Sequence, residues 1–225
     1  MRRFLFENGL SIFFGAIFLA TLLGQSFAGQ RAYNAEQLEH EAQPLSWLDY
    51  VASPDFGGSV LENWQSEFLQ FTLFILATVW LVQKGSNESK KLEDVGLESD
   101  KQQLVGKHAP PKAPPAAKRK ELRDRWLYEN SLLLAMTVIF FLSWGGQSLN
   151  NWRFESEERS EHGDAPLSWA EYVLSADFWE RTLQNWQSEF LAVGTMAVFT
   201  IYLRQRGSPE SKPVGSPHDE TAASG

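Results

Sequence analysis

The chain contains no cysteine among its 225 residues, so a disulfide framework and thiolate chemistry are both excluded. It also lacks a basic excess, because 20 Lys and Arg oppose 28 Asp and Glu, whereas a nucleic-acid-binding surface is usually basic. There is no phosphate-binding glycine loop, nucleophile elbow, His-Glu-x-x-His or dinucleotide fingerprint. We therefore predict a protein that does not bind nucleic acid and is not an enzyme, with no catalytic residue and no cofactor.

Long apolar runs, by contrast, are present four times. The mean hydropathy of −0.30 hides them, because the polar residues are segregated between the runs. A helix needs about 20 residues to cross a bilayer, with a range of roughly 17 to 25. Aromatic and basic residues at the ends of the shorter runs can complete them at the membrane surface. The alternative, that the shorter runs are buried helices of a soluble domain, stays open. The predicted spans lie at about 10–28, 66–83, 131–149 and 188–204.

The second half of the chain repeats the first at a constant distance of 122 positions. The heptapeptide Asn-Trp-Gln-Ser-Glu-Phe-Leu occurs at 63–69 and again at 185–191. Aligning 6–90 with 128–212 without a gap gives 37 identities in 85 positions. We interpret the chain as a tandem duplication of a two-helix unit. Other repeated motifs are Glu-Asn at 7 and 129, Gly-Gln-Ser at 24 and 146, Pro-Leu-Ser-Trp at 44 and 166, and Glu-Ser-Lys at 88 and 210.

The predicted fold is an all-α integral membrane protein with four transmembrane helices and a helical extracytoplasmic loop in each repeat. Repeat 1 is 1–90 with outer loop 29–65, and repeat 2 is 126–212 with outer loop 150–187. The proline-rich and charged segment 91–125 is predicted to be a disordered cytoplasmic linker, and 213–225 a disordered tail. A cleaved signal peptide is an alternative for the first run, but its internal twin cannot be one.

The distribution of Lys and Arg predicts the orientation in the membrane. Sixteen basic residues lie in the termini and the linker, and four lie in the two outer loops. Because basic residues accumulate on the cytoplasmic side, both termini should be cytoplasmic. Each outer loop has a net charge of −5 and contains a helix-start signal, Ser46 with Asp49 or Ser168 with Glu171, that resembles a capping box.

Glu67 and Glu189 are candidate functional residues because each precedes a long apolar run. An ionisable group at such a depth suggests an ion or proton pathway. The alternative is a polar packing network, since polar groups often join membrane helices. The candidate functional or packing motif is Asn63, Trp64, Glu67, Asn185, Trp186 and Glu189.

His40 and His162 are the only repeated histidines, and Glu39 and Glu161 precede them. These four side chains can ligate a divalent ion if the two loops meet. Ordinary surface histidines are the alternative. Gly24 and Gly146 are expected to allow close approach of helices.

Glu-Asn before the first span, the repeated heptapeptide and the segment Arg206–Lys212 together resemble a bacterial family of uncharacterised membrane proteins, domain of unknown function 6766. The resemblance covers nearly the whole chain except the linker and tail, and it implies a bacterial plasma-membrane location. It carries no activity and no site.

Three hypotheses for function remain. The first is a non-enzymatic envelope or interaction protein whose heptapeptides pack the repeats together, in contact with lipid and able to form a homo-oligomer. The second is a small cation or proton channel or transporter that uses Glu67 and Glu189. The third is a metal-binding membrane enzyme or sensor built on His40 and His162.

Overall fold

The computed structural model of the chain describes residues 2–222, with the side chains of Arg2 and Glu161 outside the description. As predicted, the described chain is helical and has no β-strand. Each of the four helices of the first half ends 122 positions before its counterpart in the second half. The α-helices are α1 Arg2–Glu7, α2 Gly9–Glu39, α3 Trp47–Val51, α4 Pro54–Trp80, α5 Leu122–Glu129, α6 Ser131–Glu161, α7 Trp169–Val173 and α8 Ala176–Tyr202.

Helices α2 and α6 continue well past the predicted span ends at 28 and 149. Each has 31 residues, which corresponds to about 46 Å, whereas a bilayer core is about 30 Å thick. The extra residues are mostly Ala, Gln, Glu and Arg in α2, which favour helix although they are polar. Hydropathy therefore marks the apolar part of each helix but not its end.

Two helices are long and apolar enough to cross a membrane by length and composition, namely α2 and residues Ser131–Ser160 of α6. Only 6% of the most apolar window of α2 and 22% of that of α6 are buried within the protein. A core helix of a soluble protein would be mostly buried instead. The other two predicted spans overlap α4 and α8, which have 27 residues each and end at Trp80 and Tyr202, before the predicted span ends at 83 and 204. Their crossing stays a prediction.

The chain forms two compact units. Unit 1 contains the residues up to Leu61 together with Gly146–Val173, and unit 2 contains Glu62–Gly145 together with the residues from Leu174 onward. The prediction of two repeats, a linker and a tail concerns the covalent order of the chain, and the two units do not test it.

Indole–serine hydrogen bonds hold the short helices of unit 1 in place. Trp47 of α3 donates its indole N–H to Ser26 at 3.0 Å, and Trp169 of α7 donates to Ser148 at 3.1 Å. Ser26 and Ser148 are both buried. The two bonds link the recurring Gly-Gln-Ser and Pro-Leu-Ser-Trp motifs, because the tryptophan of one motif donates to the serine of the other in each half. Ser26 also donates its own hydroxyl to the carbonyl of Leu23 at 2.7 Å.

A second pair of contacts recurs although the side chains differ. The carbonyl of Leu45 accepts from the amides of Gln30 and Asn34, at 3.0 and 2.9 Å. The carbonyl of Leu167 accepts from the indole of Trp152 at 2.7 Å and the hydroxyl of Ser156 at 3.3 Å. Donors at corresponding positions thus satisfy corresponding carbonyls, because the turn leaves that oxygen without a helical partner.

The predicted capping box is confirmed at Ser168, whereas at Ser46 only the N-cap half of the box forms. The hydroxyl of Ser46 accepts from the backbone N–H of Asp49, and Ser168 exchanges hydrogen bonds with Glu171 in both directions. The bonds from Ser168 lower the pKa of the Glu171 carboxyl below its usual value. At the starts of α4 and α8, Ser53 and Ser175 accept from backbone N–H groups three residues on.

The segments that follow α4 and α8 in unit 2 fold alike. The backbone N–H of Gln83 donates to Ser89 at 2.8 Å, and that of Gln205 donates to Ser211 at 2.9 Å. The buried ammonium of Lys212 then donates to three backbone carbonyls, those of Pro217, His218 and Glu220, at 3.0, 3.0 and 2.9 Å.

The segment 91–125 contains two short 3₁₀ helices, Leu92–Asp94 and Gly106–His108. Its anchor is Arg125, whose buried guanidinium pairs with Asp100 at 2.6 Å and with Glu129. The predicted disorder of the linker and of the tail is not tested by these contacts and stays a prediction.

Glycine is needed in α2 at Gly29 and not at Gly24. A Cβ at Gly29 would lie 3.0 Å from the Cζ atom of Tyr50 and closer still to its hydroxyl, whereas nothing lies within 4 Å of a Cβ at Gly24. The expectation of close approach is therefore wrong for Gly24. It is confirmed for Gly146, where a Cβ would meet Leu61 at 2.7 Å.

We expect Gly29→Ala to destabilise the protein by about 1–3 kcal/mol, because the added methyl group must displace a buried ring. Tyr50 cannot easily move, since it is buried and its hydroxyl donates to Asp55 at 3.0 Å. Thermal unfolding in detergent micelles measures the effect. Gly24→Ala is the matched control in the same helix, and an equal effect of the two substitutions would contradict this assignment.

Candidate functional site

The two copies of the heptapeptide are joined directly inside unit 2. Trp186, from the second copy, donates its indole N–H to the side-chain carbonyl of Gln65, from the first copy, at 2.7 Å. The neighbouring Asn185 donates to the carboxylate of Glu62 at 3.0 Å and to the carbonyl of Arg181 at 2.8 Å. Gln65 is completely buried, so its carbonyl has no access to water and depends on the indole.

An aromatic cluster covers this bond. The ring of Trp186 lies 5.9 Å from that of Trp144 and 6.5 Å from that of Phe140, measured between ring centroids. Trp144 also stacks on Phe178 at 6.0 Å, and its indole N–H donates to the fully buried Thr182 at 3.4 Å. Such rings exclude water from the indole–amide bond and strengthen it.

The two copies are not equivalent in their surroundings. Gln65 and Ser66 are buried in the first copy, whereas Gln187 and Ser188, the corresponding residues of the second copy, are exposed. Asn63 and Trp64 are also exposed. Identical sequences therefore have different roles, with the first copy supplying the buried acceptor and the second supplying the donor.

Glu67 and Glu189 are placed near one another in unit 2. Glu67 is exposed and Glu189 is partly buried, and the charge of Glu67 acts on the Glu189 carboxyl. The two predicted carboxylates are thus close enough for their charges to interact. Both belong to the predicted spans, at their outer ends.

His40 and His162 also meet, within unit 1. Their ring centroids are 6.0 Å apart and the rings are arranged edge to face. The side chain of Glu161, predicted as a ligand, lies outside the described residues. In the part of the chain that is described, no three His, Cys, Asp or Glu side chains are grouped so that they could hold a metal ion, and Glu39 joins no such group.

One pair of acidic residues was missed by sequence reasoning, although its repeat was visible. Glu88 and Glu210 come from the two Glu-Ser-Lys motifs and share a hydrogen bond between their carboxyl groups. Burial raises the pKa of the Glu88 carboxyl above its usual value, and the charge of Glu210 and the shared hydrogen bond raise it further. Asn87 beside it donates to the carbonyl of Pro209 at 3.1 Å. The constant distance of 122 positions between the motifs was the signal.

The family model described as Domain of unknown function (DUF6766) matches residues 1–223. The chain belongs to this family. No curated protein and no solved structure matches it. Membership confirms the resemblance found from the heptapeptide and covers the linker and most of the tail as well. It gives no activity, so the function must be inferred from the contacts of the chain itself.

The Glu88–Glu210 pair predicts a pH dependence. Because the pKa of Glu88 is raised in the folded state, the stabilisation is complete below the ordinary carboxyl pKa of about 4.5 and is lost as the pH rises through the raised value. The unfolding temperature should therefore fall over this window. In Glu88→Gln the neutral amide keeps the hydrogen bond without the charge, so this part of the fall should disappear.

Thermal unfolding between pH 4 and 8 measures this dependence, with Glu93→Gln in the same segment as the control. Glu93 is exposed. If Glu88→Gln gave the same pH profile as the unsubstituted protein and the control Glu93→Gln, the carboxyl pair would not contribute to the pH dependence of stability.

Proposed function

We propose that this protein is a multi-pass bacterial plasma-membrane protein with a non-enzymatic, interaction-based role. Four helices cross the membrane, and the duplicated heptapeptides hold the two copies of a two-helix unit together. The observation that carries the proposal is the hydrogen bond from the partly buried Trp186 to the fully buried Gln65. A bond between the two copies, closed off by aromatic rings, gives the motif a packing role that requires no ligand.

The surface of α2 supports a lipid environment. Phe13, Phe14 and Leu19 are exposed by 58%, 61% and 64%, and most of their neighbours in the helix are exposed apolar residues as well. A surface of this kind is far larger than a soluble monomer leaves uncovered. Lipid tails or a second copy of the chain would cover it, which makes the bilayer the first partner and a homo-oligomer the second.

The recurring contacts support a duplicated unit. Trp47 with Ser26 and Trp169 with Ser148 form the same bond, 122 positions apart. Since each sequence repeat crosses the membrane twice, the two repeats insert with the same polarity. The acidic segments between their helices then lie on one side of the membrane, where a net charge of −5 on each favours a cationic partner.

The absence of cysteine makes the topology directly testable. We expect Gln43→Cys and Ala165→Cys to react with a membrane-impermeant maleimide from outside the cell, and Lys107→Cys to react only after permeabilisation. If only α2 and α6 crossed, Lys107→Cys would react from outside and Ala165→Cys would not. The three single variants therefore distinguish four spans from two, and each serves as a control for the others.

A second candidate function is conduction of protons or small cations. The electrostatic contact between Glu67 and Glu189 favours it, because two carboxylates at the edge of a membrane attract and transfer cations. Under the packing hypothesis, the same two groups only contribute to the polar contacts around Asn185 and Trp186.

The double variant Glu67→Gln/Glu189→Gln separates the two functions. Conduction predicts normal folding with ion or proton flux into proteoliposomes reduced by at least about tenfold, because no ionisable carboxyl remains. Packing predicts no flux in either protein. Flux that is the same with and without the substitutions would contradict the conduction hypothesis.

A further inference from the structure

Two histidines from distant parts of the sequence meet at the ends of the two longest helices. His40 caps α2, and His162 follows directly after α6. Their ring centroids are 6.0 Å apart, and both residues belong to unit 1 and are exposed. Neither contributes to the packing around Trp186 or to the carboxylate pairs, so the proposed function leaves this contact unexplained.

The separation of the rings is that of two ligands on one ion. A zinc–nitrogen bond is about 2.0–2.1 Å long, which places the metal about 3.2 Å from the centroid of the ring. Two imidazoles on a tetrahedral or more open site then have centroids about 5–6 Å apart. The observed distance of 6.0 Å falls at the upper end of this range.

One of the two rings is already held in the orientation of a ligand. The Nδ1 atom of His162 lies 2.8 Å from the backbone carbonyl of Glu158. A carbonyl can only accept, so Nδ1 carries the proton and the Nε2 atom keeps its lone pair. Metal-binding histidines typically donate their other ring N–H to a carbonyl or carboxylate in this way, which fixes the ring and the tautomer.

The electrostatic surroundings favour a cation. Both histidines lie at helix C-termini, where the carbonyl groups give the helix its negative end. Glu36, Glu39 and Glu41 lie near His40 in sequence, and Glu157 and Glu158 lie near His162. These acids are not grouped with the histidines as a third ligand in the described residues, so they provide a negative field while water fills the remaining positions.

We infer that His40 and His162 form a two-histidine site for a divalent transition-metal ion of the zinc, nickel or copper class. Imidazole nitrogen selects these ions over magnesium and calcium, which prefer oxygen. An ion bound there would tie the C-terminal end of α2 to that of α6.

The test uses the full chain with a tag that contains no histidine, purified in detergent and freed of metal with a chelator. Equilibrium dialysis against zinc, followed by elemental analysis, should find about one ion per chain, and zinc but not magnesium should raise the unfolding temperature. His40→Ala and His162→Ala should each weaken binding by at least about tenfold. Variants His108→Ala and His218→Ala alter the other two histidines and should bind like the unsubstituted protein.

Zinc stoichiometry and unfolding temperature in detergent do not depend on how the protein functions in the membrane. Their outcome is therefore independent of the proposed function. Both ring substitutions affect exposed residues, and size-exclusion chromatography verifies that each variant remains folded. If the double variant His40→Ala/His162→Ala retained the same zinc stoichiometry, or if the unsubstituted protein bound no more zinc than this variant, the two-histidine site would be refuted.

Discussion

A hydrogen bond between two copies of one motif, with a fully buried acceptor, is the interaction on which the arrangement of unit 2 depends. The side chain of Gln65 has no contact with water, and its carbonyl is satisfied only if the indole of Trp186 reaches it. Leaving a buried acceptor without a donor costs about 1–3 kcal/mol, so the bond fixes the rotation and the depth of α8 relative to the part of α4 that carries Gln65. Trp144 and Phe140 then pack on the same indole.

The same principle recurs wherever the chain must end a helix or turn. Ser26 and Ser148 are buried and receive an indole N–H each, while Leu45 and Leu167 expose a carbonyl that side chains from the preceding helix satisfy. At these positions a partner within the protein takes the place of water. The repeated motifs are therefore largely the polar partners that the helices need, which explains why they recur more faithfully than the apolar runs.

Much of this could be predicted from particular residues. Ser46 with Asp49 and Ser168 with Glu171 indicated the starts of α3 and α7, and the local pattern sufficed because capping depends only on residues three positions apart. The ends of α2 and α6 were not predictable from hydropathy, since polar helix formers carry the helix beyond its apolar part. The need for glycine at Gly29 was not predicted, because the corresponding position of the second half, 151, is asparagine and so the repeat gave no signal. The side chain that makes glycine necessary there is the ring of Tyr50.

For the candidate site, the sequence identified the segments that meet but not the difference in burial between the two heptapeptides. The two heptapeptides are identical, so nothing in them indicates that Gln65 is buried and Gln187 exposed. That difference comes from the residues around them, such as Trp144, whose counterpart 122 positions earlier is Leu22. The sequence could not show that His40 and His162 meet, because their contact depends on where two long helices end in the fold.

The most direct test of the packing hypothesis is a double-mutant cycle on the free energy of unfolding with Gln65→Ala, Trp186→Phe and the combination. A direct bond predicts that the effects of the single substitutions fail to add, with a coupling energy of about 0.5–2 kcal/mol. The matched cycle with Gln187→Ala and Trp64→Phe should show a much smaller coupling, because Gln187 is exposed. Additive effects at Gln65 and Trp186 would contradict the claim that the duplicated heptapeptides hold the two copies together.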